Sequence, residues 1–348
     1  MLRELTRIKL SCLPIRRKMK TIAVVGATGA MGRSVVHALV DYPGQDFHVR
    51  ALTRNASSKR ALELLAYSDK ISAVEADTNN LSSLEKAFEG VDGVYCNTDY
   101  WNAGSRVKEV IQSIKVATAC LNCAVDHLVY SSLENVIEIT KCTLALPYFD
   151  SKAEASKYIQ AMLPKSSILV TAPYFENFLG YALPEKRQTS DDSFEYVFKD
   201  PMADKPYTMI ALDDIGQFAT YCFANPQKTQ GETLHVASDS PTMQEVADIF
   251  TRVTGLNAVY EPMTLEQFRD THRGTVNDIQ DSIDGEFVGN MFEFIRDYGI
   301  HRDYDLIKKI HPGVMNFEAW LKHTNWRGEP VAVQNYFVAN TKSEEKLK

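Results

Sequence analysis

The first hydrophobic run of the chain, Ile22-Ala23-Val24-Val25, carries no alternating polar residue, the pattern of a strand buried on both faces of a parallel sheet. It breaks into Gly26-Ala27-Thr28-Gly29-Ala30-Met31-Gly32, and helical spacing resumes over Arg33–Val40. Apolar runs at Phe47–Leu52, Ile71–Ala76, Gly93–Cys96, Leu128–Tyr130 and Ser167–Ala172 predict five more strands, with helical patterns at Leu81–Phe88 and Val107–Cys120 between them. Strand, helix and strand in repetition predict an α/β fold built on a doubly wound parallel sheet. Beyond Ala172 the alternation lapses. Phe194–Phe198 and Thr208–Leu212 read as short strands, and Asp214–Phe223, Met243–Thr254 and Phe287–Tyr298 as helices, which together predict a smaller C-terminal α/β lobe. The expected division is an extension over 1–19, a sheet domain over 20–175, the smaller lobe interleaved with it over 176–330, and a tail over 331–348.

Composition adds little, but charge placement adds a good deal. Hydrophobic content of 45% and charged content of 24% over 348 residues are ordinary for a globular chain. No apolar run approaches the ~18–20 residues of a membrane-spanning helix. Residues 1–20 hold seven basic side chains against Glu4, a net of +6. With −7 for the whole chain, the remainder carries −13. An acidic body is a poor match for nucleic-acid phosphates, so no direct nucleic-acid binding is expected. The Arg-rich, almost acid-free leader resembles a mitochondrial transit segment, the alternative being a plain extension with Met19 as an internal start. The six cysteines show no disulfide-framework spacing, which favours a reducing compartment. Cys120 and Cys123 stand at a helix end and read as packing residues.

The three glycines sit on a strand-to-helix turn, where missing Cβ atoms let backbone N–H groups and a helix N-terminus approach a pyrophosphate. The plain alternative is a tight turn without a ligand. At the end of the second strand, where an acid would bind the adenosine ribose and an arginine would take a 2′-phosphate, stands Arg54, followed by Asn55, Lys59 and Arg60. That choice points to NADP(H), since a guanidinium fork pairs with phosphate oxygens. Asp77 and Thr78, and Asn97 and Thr98, fall at the carboxyl ends of the third and fourth strands, where ligands of such sheets bind.

Ser131 follows the fifth strand, and Tyr148-Phe-Asp-Ser-Lys152 has Y-x-x-x-K spacing. A helix beginning near Asp150 or Ser151 would put Tyr148 at its mouth and Lys152 in its first turn. A lysine beside a phenol lowers its pKa, which makes Tyr148 a candidate general acid for carbonyl reduction, with Ser131 holding the substrate oxygen. Lys152 has a second reading as a donor to the nicotinamide ribose, which requires no chemistry. Tyr174, Phe175 and Phe178 are either pocket lining or core.

The segments Gly26–Gly32, Thr53-Arg54-Asn55, Asn97–Trp101, Val129–Asn135, Tyr148–Lys152, Pro173–Asn177 and Phe317–Leu321 together resemble the NmrA-like family, an atypical branch of the short-chain dehydrogenase/reductases. The likeness is strongest to its eukaryotic NADP(H) redox sensors, which exchange protein partners with the cofactor ratio. It implies a Rossmann domain with a lobe over the nicotinamide end. It also implies cofactor contacts from Gly26–Met31, Arg54 and the turn after it, Asp77 and Thr78, Asn97, Thr98 and Asp99, Lys152, and Tyr174, Phe175, Glu176 and Asn177. Sensor members commonly keep the lysine and lack the tyrosine, whereas this chain has Tyr148. The expected function is therefore an NADP(H) sensor acting through regulated protein contacts or self-association in the cytoplasm or nucleus, with an NADPH-dependent quinone or carbonyl reductase as the alternative.

Overall fold

The computed structural model describes residues 19–180, 182–272 and 285–331. Most of the basic leader and of the C-terminal tail lie outside these residues, as does Cys12.

Seven strands form one parallel sheet: β1 (Lys20–Val25), β2 (Phe47–Thr53), β3 (Ile71–Glu75), β4 (Gly93–Cys96), β5 (His127–Ser132), β6 (Ser167–Val170) and, after two strands of the smaller sheet, β9 (Thr233–His235). Their order is β3-β2-β1-β4-β5-β6-β9. Alternate residues of each strand feed opposite layers, which is why the strands read as unbroken apolar runs. Ile22 and Val24 pack with Val35, Leu39, Ile215 and Phe218 of helices Ala30–Val40 and Leu212–Ala224. Ala23 and Val25 pack with Leu84, Phe88, Val116 and Ile159 of helices Leu81–Phe88, Arg106–Asn122 and Pro147–Met162 on the other side.

A second sheet of three strands, β7 (Glu185–Gln188), β8 (Phe194–Phe198) and β10 (Ala258–Tyr260), has the order β10-β8-β7, with β7 antiparallel to β8 and β10 parallel to it. The stretch expected as a strand over Thr208–Leu212 is different. Met209 and Ile210 make only isolated bridges, to Asp239 and Tyr174, and Leu212 already opens a helix. These residues are buried and bridge the segments that follow β6 and β9, so their apolar character reflects burial rather than strand pairing.

The C-terminal residues are tied back to the main sheet. Arg302, its side chain 1% exposed, donates to Glu134 Oε1 at 2.7 Å, Thr171 O at 2.7 Å and Val236 O at 2.9 Å, joining the ends of β5, β6 and β9. Trp320, on helix Phe317–Thr324, donates to the buried Glu176 Oε1 at 2.9 Å. No helix among the described residues is long and apolar enough to cross a membrane.

Candidate functional site

The strand order reverses at β1, between β2 on one side and β4 on the other, so the chain leaves the sheet in opposite directions there and opens a crevice at the carboxyl edge. A cavity of about 1310 Å³ occupies this edge and continues toward the smaller sheet.

The glycine turn forms its floor. Gly26 has φ +79°, the left-handed region that favours glycine, and a Cβ there would stand 3.0 Å from Asn97 O at the end of β4. At Gly32 a Cβ would lie 2.1 Å from Gly26 O. The turn therefore closes only with glycine at these two positions, and helix Ala30–Val40 starts from Gly29 with no side-chain cap. Its first-turn N–H groups lack intrahelical partners, and Gly26, Thr28, Gly29, Ala30 and Met31 line the cavity. Ala27 is fully buried in the core beneath, and Gly32 is buried against the turn.

At the end of β2, Arg54, Asn55 and Lys59 are exposed and line the same cavity. Arg54 Nη1 donates to Asn102 Oδ1 at 3.0 Å, using one of the five guanidinium N–H groups. Asn102 belongs to the short helix Tyr100–Ala103, which Asp99 caps by accepting from Asn102 N at 3.2 Å. The turn after Arg54 does meet one acid, Glu75 at the end of β3, which accepts from Ala56 N at 3.1 Å without lining the cavity. Asp77, Thr78, Asn97, Thr98 and Asp99 also line it. Asp77 Oδ1 turns back to accept from Asn79 N at 2.8 Å.

Helix Pro147–Met162 begins earlier than expected, because Pro147 fits its first turn. Tyr148 therefore stands in the first turn and Lys152 in the second, four residues apart on one face, both lining the cavity. Tyr148 packs its ring against Trp101 at 5.3 Å and Tyr100 at 6.1 Å between centroids. The ammonium of Lys152 donates to Thr98 O at 2.6 Å and to Glu109 Oε1 at 2.7 Å, with longer approaches to Thr98 Oγ1 at 3.3 Å and Asn97 Oδ1 at 3.4 Å.

Glu109 was missed in the sequence. It is completely buried on helix Arg106–Asn122, where it also accepts from Thr98 Oγ1 at 2.9 Å and from Ser151 Oγ. The signal that would have found it is an acid in register with the inward-facing Val110, Val116, Ala117 and Cys120 of the same helix.

Three other expected contacts are not brought to the cavity. Ser131 lies inside β5, not beyond it, is 1% exposed, and donates to Met31 Sδ at 3.2 Å. The strand continues to Ser132, and the cavity-lining position that follows is the apolar Leu133. Phe175 and Glu176 are fully buried, because the turn Phe175–Leu179 points them inward while Tyr174, Asn177 and Phe178 line the cavity. Phe175 packs on Phe317 and Trp320.

The NmrA-like family model matches residues 18–321. A curated NmrA-like family domain-containing protein of Dictyostelium discoideum is 29% identical, aligned over 88% of this chain and 99% of its own. An NmrA-like family domain-containing oxidoreductase of Aspergillus hancockii is 28% identical over 72% of this chain and 78% of its own. Among solved structures, NmrA, described as a negative transcriptional regulator, superposes with a TM-score of 0.71 at 23% identity over 87% of this chain and 94% of its own. The Citrobacter sp. triphenylmethane reductase complexed with NADP(H) superposes with a TM-score of 0.69 at 19% identity, over 87% and 99%. These likenesses fix the fold, and the match of the family model over nearly the whole chain establishes that this protein belongs to the NmrA-like family.

Proposed function

We propose that this protein binds NADP(H) in the β1–β4 crevice and acts as a redox sensor, passing the state of the cofactor to protein partners or to a second copy of itself. The observation that carries the binding is the glycine-spaced turn from Gly26 to Gly32, where a Cβ at Gly26 or Gly32 would meet backbone and whose uncapped helix start lines the cavity. Those N–H groups would hold the pyrophosphate, and Arg54 with Asn55 and Lys59 would take the 2′-phosphate. Asp77 and Thr78 would flank the adenosine. Asn97, Thr98, Asp99 and Lys152 would hold the nicotinamide ribose, with Tyr174 and Asn177 beyond it. Solved relatives in complex with NAD, with NADP and with NADP(H) support the choice of ligand class.

Lys152 supports sensing over catalysis. Its two short hydrogen bonds go to Glu109 and Thr98 O, so its charge is already balanced within the protein rather than by a phenolate. At the cavity position that follows β5 stands the apolar Leu133. Residues 97–102 line the cavity, and Tyr100 and Trp101 of this segment pack on Tyr148. A cofactor form that favours one placement of this segment shifts its population only by the difference in its affinity for the two placements.

A second reading, reduction of a quinone or another carbonyl compound, is favoured by Tyr148 and Lys152 sharing one face of a helix in the cavity. NADPH, when bound, supplies hydride. Tyr148 would hold the proton for the substrate oxygen. Limited proteolysis and sedimentation velocity with NADP⁺ or NADPH test the sensor reading. It expects different cleavage in 97–104 and 174–180 and different self-association. Identical results with both forms would refute it.

A further inference from the structure

The cavity does not end at the glycine turn. Its volume of about 1310 Å³ exceeds the roughly 300–1,000 Å³ of a typical single-ligand site. Its far part is walled by Tyr207, Met243, Met263, Phe268, Met291 and Phe292, none of which the dinucleotide reading uses. This wall is apolar, and its methionines adapt to irregular shapes.

Three charged residues interrupt it, Asp200 and the paired Lys199 and Glu185. Asp200 lines the cavity and is 5% exposed. Its Oδ1 accepts from Met202 N at 3.0 Å and from Tyr260 Oη at 2.9 Å, while among the described residues nothing bonds to Oδ2. The neighbouring Lys199 is not its counter-ion, since that ammonium sits 2.6 Å from Glu185 Oε2 and 3.7 Å from Glu261 Oε2. Burial lifts the Asp200 carboxyl to about 6. With only Oδ1 engaged, the carboxylate keeps acceptor capacity for a charged donor that enters the cavity.

The geometry points to a second ligand site at this end of the cavity, for a lipophilic amine whose apolar body fills the methionine and aromatic wall and whose protonated nitrogen donates to Asp200 Oδ2. The inference rests on the dinucleotide reading only for which part of the cavity stays free. Asp200→Asn keeps the Oδ1 acceptor for Met202 N and Tyr260 and removes the charge.

The test is calorimetric titration of the full chain, with and without NADPH, using 1-naphthylmethylamine, 1-naphthylmethanol and 1-naphthoic acid at about pH 7.5. The amine is expected to bind about tenfold or more tightly than the alcohol, with the acid weakest. Asp200→Asn is expected to erase that preference and leave NADPH affinity unchanged. Should the variant fail to fold, the pH dependence of the parent decides. The titratable neighbours are Tyr260, raised by burial, and the Lys199, Glu185 and Glu261 cluster, so amine preference should fall as pH drops through about 6. Equal binding of the three probes, no amine binding, or a preference that survives Asp200→Asn would overturn the assignment. Loss of NADPH binding alone, with the amine order intact, would refute the dinucleotide reading and not this one.

Discussion

Lys152 Nζ and Glu109 Oε1 stand 2.7 Å apart, with the Glu109 side chain fully enclosed. Removing one member of such a pair leaves an uncompensated buried charge, which costs about 3–5 kcal/mol, whereas replacing both with apolar residues is often close to neutral. Lys152→Met and Glu109→Leu should therefore each lower stability by that order, and the two together should recover most of it. Urea denaturation of the four proteins checks this. Additive losses in the double variant would show that the pair is not coupled.

The same contact alters how a cofactor experiment on Lys152 is interpreted. Weaker NADPH binding in Lys152→Ala combines a lost ribose donor with a disturbed Glu109, so Tyr148→Phe is the cleaner probe of chemistry. With Lys152 balanced by Glu109, we expect Tyr148→Phe to leave NADPH affinity within about twofold and to change no carbonyl turnover. General-acid catalysis would instead make turnover fall about 10²–10⁴-fold. NADPH oxidation across aldehydes distinguishes the two outcomes. Quinones are excluded from this comparison because they can accept hydride without an obligatory proton from tyrosine.

At the glycine turn two substitutions separate fold from binding. A Cβ at Gly32 meets backbone at 2.1 Å, so Gly32→Ala should distort the β1 turn and lower the melting temperature. A Cβ at Gly29 is 3.3 Å from Gly26 O, a milder approach, so Gly29→Val should remain folded while its branched side chain fills the floor of the crevice and abolishes dinucleotide binding. Circular dichroism with NADPH titration reads both. A folded Gly29→Val protein that binds NADPH normally would remove the turn from the site.

Glu176 should give the fold a pH dependence. Burial, then the nearby Asp213, raises its carboxyl to about 8 from 4.5, against the lowering hydrogen bonds from Trp320 Nε1 and Leu212 N. Between those values the folded state holds a proton that the unfolded chain releases, so stability falls as pH rises from about 4.5 to about 8 and levels off above. The shift bounds this loss at about 5 kcal/mol. Thermal melts of the parent and of Glu176→Gln across that range are the check, with the variant expected to show a flatter profile. Parallel profiles would assign the dependence elsewhere.

Much of this molecule is legible in its sequence. The order β1 to β6 follows from unbroken apolar runs, and the glycine turn, Arg54, Tyr148 and Lys152 can be placed by counting from them. The failures share a physical cause. Ser131 is a candidate from its position at a strand end and Phe175 from the family resemblance, but one residue of strand length or one turn of a short helix decides whether a side chain faces the crevice or the core. Glu109 and Asp200 escaped notice because each is local to an ordinary segment and becomes unusual only when buried against residues distant in sequence. Thr208–Leu212 had strand-like composition, which burial without pairing also produces.

The claim on which the rest depends is that the crevice holds NADP(H), and calorimetric titration of the parent and of Arg54→Ala with NADPH and NADH tests it most directly. A charge-assisted hydrogen bond contributes about 1.5–3 kcal/mol, or roughly 10–150-fold in Kd. The account predicts one NADPH bound per chain, NADPH affinity lowered by that factor in Arg54→Ala, and NADH affinity nearly unchanged because it has no 2′-phosphate. No NADPH binding by the parent, or equal loss for both cofactors in the variant, would contradict it.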